Sequence, residues 1–94
     1  MSFGVIIDVD APIEMYDALH GELVRRTGGV VDGLIIHVGR ATERGFQVME
    51  VWQSREHFDR ATAEVINPLV RELAGVPDGA PIQLPPQHQL EFDP

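Results

Sequence analysis

The chain has 94 residues, and its 15 acidic residues against 7 basic ones, all arginine, give a net charge of −8. This charge repels phosphate backbones and anionic lipid headgroups, so we expect neither a nucleic-acid partner nor a membrane partner. The lack of cysteine excludes disulfides, thiolate zinc sites, iron–sulfur clusters and thiol nucleophiles. At this length we expect one domain over residues 1–94.

The first residues run directly into an apolar segment without a basic region of the kind that opens a signal peptide. No apolar run approaches the roughly 20 residues that a membrane-spanning helix needs. These features predict a cytoplasmic protein.

The first third of the chain predicts a strand followed by a helix. The β-branched apolar run Phe3–Val9 is typical of a buried strand. Pro12 suits the first turn of a helix, with Asp10 or Ala11 as its N-cap, and Gly28 supplies a left-handed stop. Helically spaced apolar residues between these marks support the helix.

Two further runs at hairpin distance predict a pair of antiparallel strands. Gly33–Gly39 alternates, with Leu34, Ile36 and Val38 on one face and Ile35 and His37 on the other. In the second run, from Phe46 to Gln53, four residues share one side: Phe46, Val48, Glu50 and Trp52.

A second helix is predicted to begin after the N-cap Ser54 and to end at Gly75. Because the residue before proline avoids the α region, Pro68 predicts a kink or a break near Asn67. A proline-rich connection follows, with a short extended piece expected around Ile82 to Leu84. His88 to Phe92 then alternates as a final strand.

The order strand, helix, strand, strand, helix, strand predicts an α+β protein of ferredoxin-like βαββαβ type, an antiparallel sheet with two helices on one face. The strands carry apolar residues on both sides, so the helix-free face would expose either Ile35 and its neighbours or the residues around Val48 and Trp52. A second copy is the simplest cover. We therefore expect a homodimer whose two sheets pack face to face.

The passage Gly45–Phe58, which reads GFQVMEVWQSREHF, and the later Asn67-Pro68-Leu69 resemble the dimeric α+β barrel superfamily, and within it the antibiotic-biosynthesis-monooxygenase-like group. That resemblance implies a small enzyme that needs neither a metal nor an organic cofactor and that acts on or binds an aromatic or polyketide-like molecule. The alternative is a non-catalytic homodimer that binds a small ligand or has a structural role.

Two histidines in strands are candidate catalytic residues. A neutral His37 in an apolar strand is able to act as a general base or to orient a phenolic substrate. The alternative is a hydrogen-bonded histidine at a sheet edge or dimer seam. His88 carries the same ambiguity, and because both lie on edge strands, only dimer formation would bring His37 of one subunit toward His88 of the other.

Glu50 and Trp52 share a strand face and complete the candidate site. A desolvated Glu50 would have a raised pKa and act as acid or base, or it would pair with Arg40 or Arg44 across the hairpin. Trp52 would stack on a flat ligand, or it would only pack against other core side chains. In the monooxygenases that the sequence resembles, a tryptophan in this strand lines the pocket.

The other two histidines, His20 and His57, are expected on helix surfaces and are assigned no role. The acidic and histidine residues near His57 do not repeat a two-histidine metal spacing on one helical face, so no metal site is expected. A haem-degrading enzyme would need an axial histidine for the iron and arginines to bind the haem propionates. This acidic chain has few arginines, so we do not expect that activity.

Overall fold

The computed structural model describes residues 2–77, 79–81 and 85–92. Its elements follow in the order β1 (Ser2–Val9), α1 (Ile13–Thr27), β2 (Leu34–Ala41), β3 (Phe46–Trp52), α2 (Arg55–Ala61), a π-helical segment (Thr62–Ile66), α3 (Asn67–Ala74) and β4 (Gln87–Phe92). The sheet order is β2-β3-β1-β4, and each neighbouring pair is antiparallel. The predicted ferredoxin-like βαββαβ fold is confirmed. The extended piece expected at Ile82–Leu84 lies outside the described residues.

Helix α1 begins one or two residues later than the N-cap prediction placed it. Pro12, in an extended conformation, is itself the N-cap residue, and its carbonyl oxygen accepts a hydrogen bond of 2.9 Å from the backbone N–H of Met15. Asp10 and Ala11 therefore do not cap the helix. The C-terminal prediction is confirmed, since Gly28 adopts φ of 70° and its N–H donates to the carbonyl oxygen of Val24.

The second helix contains a π-helical segment where the sequence predicted a kink or a break. Ser54 caps it as expected, accepting a hydrogen bond from the backbone N–H of His57. The N–H of Asn67 donates to the carbonyl oxygen of Thr62, five residues earlier, so the turn before Pro68 is wider than an α-helical turn. The wider turn accommodates the proline, which carries no N–H of its own, and the chain stays helical.

A β-bulge in β2 alters the predicted alternation. Leu34 lies opposite Trp52, whereas Ile36 lies opposite Val51, so Ile35 is the extra residue. Directly opposed residues share a face, which places Leu34 with the core residues under the helices and Ile36 on the other side. The expectation that Leu34 shares a face with Ile36 and Val38 is wrong.

The main hydrophobic core lies between the sheet and the second helix. It consists of Phe3, Val5, Trp52, Phe58 and Ala61. The rings of Phe3 and Phe58 have centroids 5.3 Å apart, and Trp52 meets Phe58 edge to face at 5.8 Å. This end of the molecule is therefore well packed.

An ion-pair network ties α1 to α3. Arg26 donates to Glu22 within α1 at 2.8 Å, and its two terminal nitrogens donate to the two carboxylate oxygens of Glu72 at 2.9 and 2.8 Å. The planar guanidinium matches the carboxylate geometry, and such a bidentate pair fixes relative orientation better than a single contact. It fixes the C-terminal part of α1 beside α3.

The helix-free face of the sheet exposes apolar side chains from three strands. The exposed fractions are 39% for Ile6, 51% for Ile36, 45% for Val38 and 66% for Leu90. Val48 and Trp52 are buried on the helix side instead. The set around Val48 and Trp52 is therefore not the exposed one. On β2 the exposed face carries Ile36 and Val38, which the alternation had placed opposite Ile35 and His37.

None of the helices in the described part of the chain combines the length and the apolar character that a membrane crossing requires.

Candidate functional site

A cavity of about 1610 Å³, partly open to solvent, lies between the helix-covered face of the sheet and the helices. Its volume exceeds the roughly 300–1,000 Å³ that is usual for small-molecule pockets. Helix α1 buries only Leu23 among its side chains and so leaves space above the sheet. Much of the wall is apolar, with contributions from Ile7, Val48, Leu19, Leu69 and Val70.

Four side chains able to move protons meet in the wall of this cavity. Helix α1 supplies Tyr16 and His20, which lie one turn apart and so share a helix face. His37 of β2 and Glu50 of β3 are direct partners across the strand pair, so their side chains stand on the same face of the sheet. The fold thus brings together groups that are up to 34 positions apart in sequence.

Glu50 is a largely buried carboxylate with two polar contacts. One oxygen, Oε1, accepts a hydrogen bond of 3.2 Å from the indole N–H of Trp52, and Oε2 lies 3.5 Å from Nδ1 of His37. Burial raises the pKa of the Glu50 carboxyl, and the bond from Trp52 opposes that rise. Arg40, proposed above as a partner, instead donates to Gln47 at 2.9 Å.

His37 lies beside this carboxylate. At 3.5 Å the contact between Nδ1 and Oε2 is longer than an ordinary hydrogen bond, and a carboxylate on this side of the ring favours the neutral tautomer with its proton on Nδ1 and its lone pair on Nε2. In the structure Nε2 is buried and has no hydrogen-bond partner. Burial, with a smaller contribution from His20, lowers the pKa of the His37 imidazole, so the ring is neutral near pH 7.

Tyr16 and His20 complete an aromatic cluster around His37. The Tyr16 ring stacks on that of His20 at 5.4 Å and tilts against His37 at 5.8 Å and Phe46 at 5.7 Å. Burial raises the pKa of the Tyr16 phenol, as do the nearby carboxylates of Asp17 and Glu50. Tyr16 is therefore a neutral hydroxyl near pH 7.

Gly39 makes room for this cluster. It is the β2 residue two positions after His37 on the same face, and a Cβ built there would overlap the Tyr16 ring. A side chain at this position would push Tyr16 away from the sheet. The close approach of α1 to β2 thus depends on a glycine.

Of the four predicted site residues, the fold brings His37 and Glu50 together in the cavity wall. The other two, Trp52 and His88, lie outside it. Trp52 is 2% exposed and packs in the core, and the described residues that line the cavity do not include it. It contacts the site only through its bond to Glu50. His88 lies opposite Ile6 on the helix-free face and is exposed. Within one chain, His88 and His37 therefore stand on opposite faces of the sheet.

The sequence reasoning missed Tyr16 and His20. Tyr16 is one of the helically spaced residues between Pro12 and Gly28 that predict α1 and has no predicted role, and His20 is predicted on a helix surface without a role. The structure places His20 in the cavity wall with Nδ1 buried and unpartnered. The available signal was their spacing of four residues on the buried side of α1, next to Leu19.

Across residues 2–77, 79–81 and 85–92, no group of three or more histidine and acidic side chains has an arrangement able to hold a metal ion. His57, the remaining histidine, is engaged at a helix end, with Nδ1 2.7 Å from the hydroxyl of Ser54.

No family model and no curated protein matches the sequence. Solved structures of the same fold do match. A conserved protein from Methanosarcina mazei Go1 aligns with a TM-score of 0.71 at 11% identity, covering 99% of this chain and 94% of that one. A protein assigned as an antibiotic biosynthesis monooxygenase from Chloroflexus aurantiacus J-10-fl aligns with a TM-score of 0.65 at 15% identity, covering 100% and 95%. SnoaB, a cofactor-independent oxygenase from Streptomyces nogalater, aligns with a TM-score of 0.56 at 14% identity, covering 99% and 90%.

These alignments extend over nearly the whole of each chain, so they concern the complete fold. The chain shares the ferredoxin-like α+β fold of these structures. The resemblance to the antibiotic-biosynthesis-monooxygenase-like group is confirmed at the level of fold. At identities of 11 to 15%, fold is all that the likeness transfers.

Proposed function

We propose that this chain is a cofactor-independent monooxygenase-like enzyme that takes an aromatic or polyketide-like molecule with an acidic hydroxyl group. The observation that carries the proposal is the Glu50–His37 pair in the wall of a largely apolar cavity. A carboxylate beside Nδ1 of an imidazole, with Nε2 as the remaining acceptor, suits general-base catalysis when the contact shortens to a hydrogen bond in the substrate complex.

In the proposed reaction the substrate hydroxyl donates its proton to Nε2 of His37. The resulting imidazolium is stabilised by the adjacent Glu50 carboxylate, which the indole N–H of Trp52 holds in place. The phenolate formed is electron-rich and reacts with dioxygen at a ring carbon that carries hydrogen. His37 returns the proton to the peroxide, and loss of water leaves a second carbonyl group. One phenol and one dioxygen thus give one quinone and one water.

The apolar part of the wall supports this proposal physically. Ile7, Val48 and Leu69 exclude water from the region around the imidazole once a flat ligand fills the space. Fewer water dipoles around the phenolate strengthen its attraction to the imidazolium. A base in open water would gain little from its carboxylate partner.

The test combines a ligand screen with measurements of oxygen consumption. Wild-type protein is screened with hydroxylated aromatic compounds, and compounds that bind are assayed for oxygen uptake. We expect His37→Ala to abolish uptake while it leaves the melting temperature nearly unchanged. His88→Ala, a histidine substitution on the opposite face, should leave uptake as in the wild type.

Two results separate this proposal from its rivals. Clear destabilisation by His37→Ala with unchanged ligand affinity would mean that His37 is a structural residue, and the base assignment would be abandoned. Compounds that bind in a His37-dependent way without any oxygen uptake would identify the chain as a non-catalytic ligand-binding protein, the alternative function.

We also propose that a second copy of the chain covers the helix-free face. The support is the exposed apolar set Ile6, Ile36, Val38 and Leu90, which spans three strands. A specific contact of this kind buries more than about 1,000 Å². Light scattering at micromolar concentration should give about twice the chain mass, and Ile36→Glu should shift the protein toward monomer. A wild-type monomer at these concentrations would refute the dimer.

A further inference from the structure

Two imidazole nitrogens in the cavity wall lack hydrogen-bond partners. They are Nδ1 of His20 and Nε2 of His37, and both are buried. The two rings lie nearly perpendicular at 79° with centroids 5.3 Å apart. A single buried polar atom without a partner is costly and uncommon, and two within one cluster indicate a place where another molecule supplies the missing partner.

We propose that His20 and His37 together bind one hydroxyl group of the substrate, so that His20 is an oxyanion-binding residue. His37 Nε2 accepts the hydrogen bond from the hydroxyl, and His20 Nδ1–H donates one to the same oxygen. After the proton moves to His37, both imidazoles donate to the oxyanion. The inference rests on the base role of His37 proposed above and adds a second group that selects for an ionisable hydroxyl.

The surrounding side chains favour this arrangement. Tyr16 stacks on His20 and limits the orientations of its ring. In the proposed complex two donors face one developing negative charge, an arrangement that stabilises oxyanions in enzymes.

Access to the two nitrogens requires a movement of the His20 side chain. Both atoms are covered by neighbouring groups in the ligand-free structure. A change in the His20 rotamer breaks its ring contacts with Tyr16 and His37. Helix α1 buries only the side chain of Leu23, so little other packing opposes the change. The substrate hydroxyl would enter between the two rings as the His20 side chain moves outward.

Other charged groups also line the cavity and must be distinguished from this pair. On the sheet, Glu50 faces His37 directly. The remaining charged lining residues belong to the ends of the strands and the β2–β3 connection: Asp8, Asp10, Arg40, Glu43 and Arg44. The residues that α3 and the π-helical segment present are apolar: Ile66, Leu69 and Val70. An anion held by an arginine of this set would bind independently of His20.

The experiment uses 4-nitrophenol as the probe, because its anion is yellow, and 4-nitroanisole, its methyl ether, as the matched control ligand. Affinities are measured for the wild type, His20→Phe and His20→Asn. The asparagine amide nitrogen lies near the position of Nδ1 and keeps a donor there. His20→Phe should weaken binding of the nitrophenolate by about tenfold or more, as expected for a lost hydrogen bond to a charged oxygen. His20→Asn should retain most of the affinity.

Colour provides a second readout that packing alone would not move. In the wild type, bound 4-nitrophenol should turn yellow at a lower pH than the free compound, since two donors stabilise its anion. With His20→Phe the pH of the colour change should rise toward that of the free compound. Binding of 4-nitroanisole, which has no proton to lose, should be the same in all three proteins.

The possible results distinguish the oxyanion role of His20 from the base role of His37. Nitrophenol binding that depends on His37 but is unchanged by His20→Phe would overturn the role of His20 and leave the base role of His37 intact. Binding that is indifferent to both histidines would overturn both. Equal weakening of the phenol and its methyl ether by His20→Phe would also overturn the oxyanion role, because the loss would then come from altered shape. If His20→Phe does not fold, His20→Ala serves with the same readouts.

Discussion

The hydrogen bond from Trp52 to Glu50 makes a quantitative prediction about what holds the site together. Trp52→Phe removes the indole N–H that donates to the buried Glu50 carboxylate at 3.2 Å. A hydrogen bond to a charged group contributes about 1.5–3 kcal/mol. The smaller ring also leaves a cavity in the packed core, which adds about 1–2 kcal/mol. We therefore expect Trp52→Phe to lower the free energy of unfolding by about 2.5–5 kcal/mol.

The two contributions can be separated with a double-mutant cycle. Glu50→Met keeps the length of the side chain and removes its charge and its acceptor. In that background Trp52→Phe breaks no hydrogen bond to a carboxylate, and it removes an indole N–H left without a partner. Its cost should fall by at least about 1.5 kcal/mol, to the packing contribution alone or less.

The assay is urea unfolding at pH 7 of the wild type, both single variants and the double variant. Phe58→Leu is the packing control, because it alters the edge-to-face contact with Trp52 without touching Glu50. Its cost should be the same with and without Glu50→Met. If Trp52→Phe costs the same in both backgrounds, the bond contributes nothing and Trp52 does not position Glu50.

Two further predictions concern the pH dependence of stability and the approach of α1 to the sheet. The pKa of Glu50 is raised in the folded state, so the folded state binds more protons than the unfolded state above the ordinary pKa of 4.5, and the stability that this group contributes falls as pH rises through that region. Glu50→Gln removes this dependence. The free energy of unfolding of the variant relative to that of the wild type, measured with urea from about pH 4 to about pH 7, should therefore increase with pH. A difference that stays constant over this range would contradict a raised pKa of Glu50. Gly39→Ala should cost about 1–3 kcal/mol, because its Cβ would overlap the Tyr16 ring, and should weaken 4-nitrophenol binding as Tyr16 and His20 shift. Gly21→Ala on α1 is the matched control, since its Cβ meets nothing within 4 Å, and should instead stabilise by up to about 1 kcal/mol. A Gly39→Ala protein as stable as the wild type would show that the Tyr16 ring is free to leave β2.

Local signals in the sequence were sufficient for the order of elements and for several of their ends. Gly28 and Gly75 stop helices in the left-handed conformation, and Ser54 caps the second helix, because each of these depends on one residue and its near neighbours. The period-two pattern of β3 placed Glu50 and Trp52 on one face for the same reason. Such features need no knowledge of the rest of the chain.

The errors arose where a local pattern has more than one physical solution. A proline inside a helix can end it, kink it or be accommodated by a wider turn, and the wider turn before Pro68 was not foreseen. An alternating strand can contain an extra residue, and the bulge at Ile35 reversed the face of Leu34. Both choices depend on what packs against the segment, which the sequence pattern does not state.

The site was only half predictable for a related reason. His37 and Glu50 belong to neighbouring strands of a hairpin, so a short connection limits how they pair. His20 joins them from α1, and its position depends on the angle at which the helix docks on the sheet. Leu19 and His20 are adjacent in sequence and both line the cavity, so a stripe of apolar residues alone did not reveal that His20 faces inward.

The pleat of the sheet separates the two proposed roles of the strands. On β2, His37 faces the cavity, whereas Ile36 and Val38 belong to the exposed apolar face. All the groups proposed for proton transfer and hydroxyl binding come from one chain, and none of them lies on the face that a second copy would cover. A dimer formed through that face would therefore add no group to the chemistry of the cavity. The catalytic proposal and the dimer proposal therefore rest on different observations, and evidence for one is not evidence for the other.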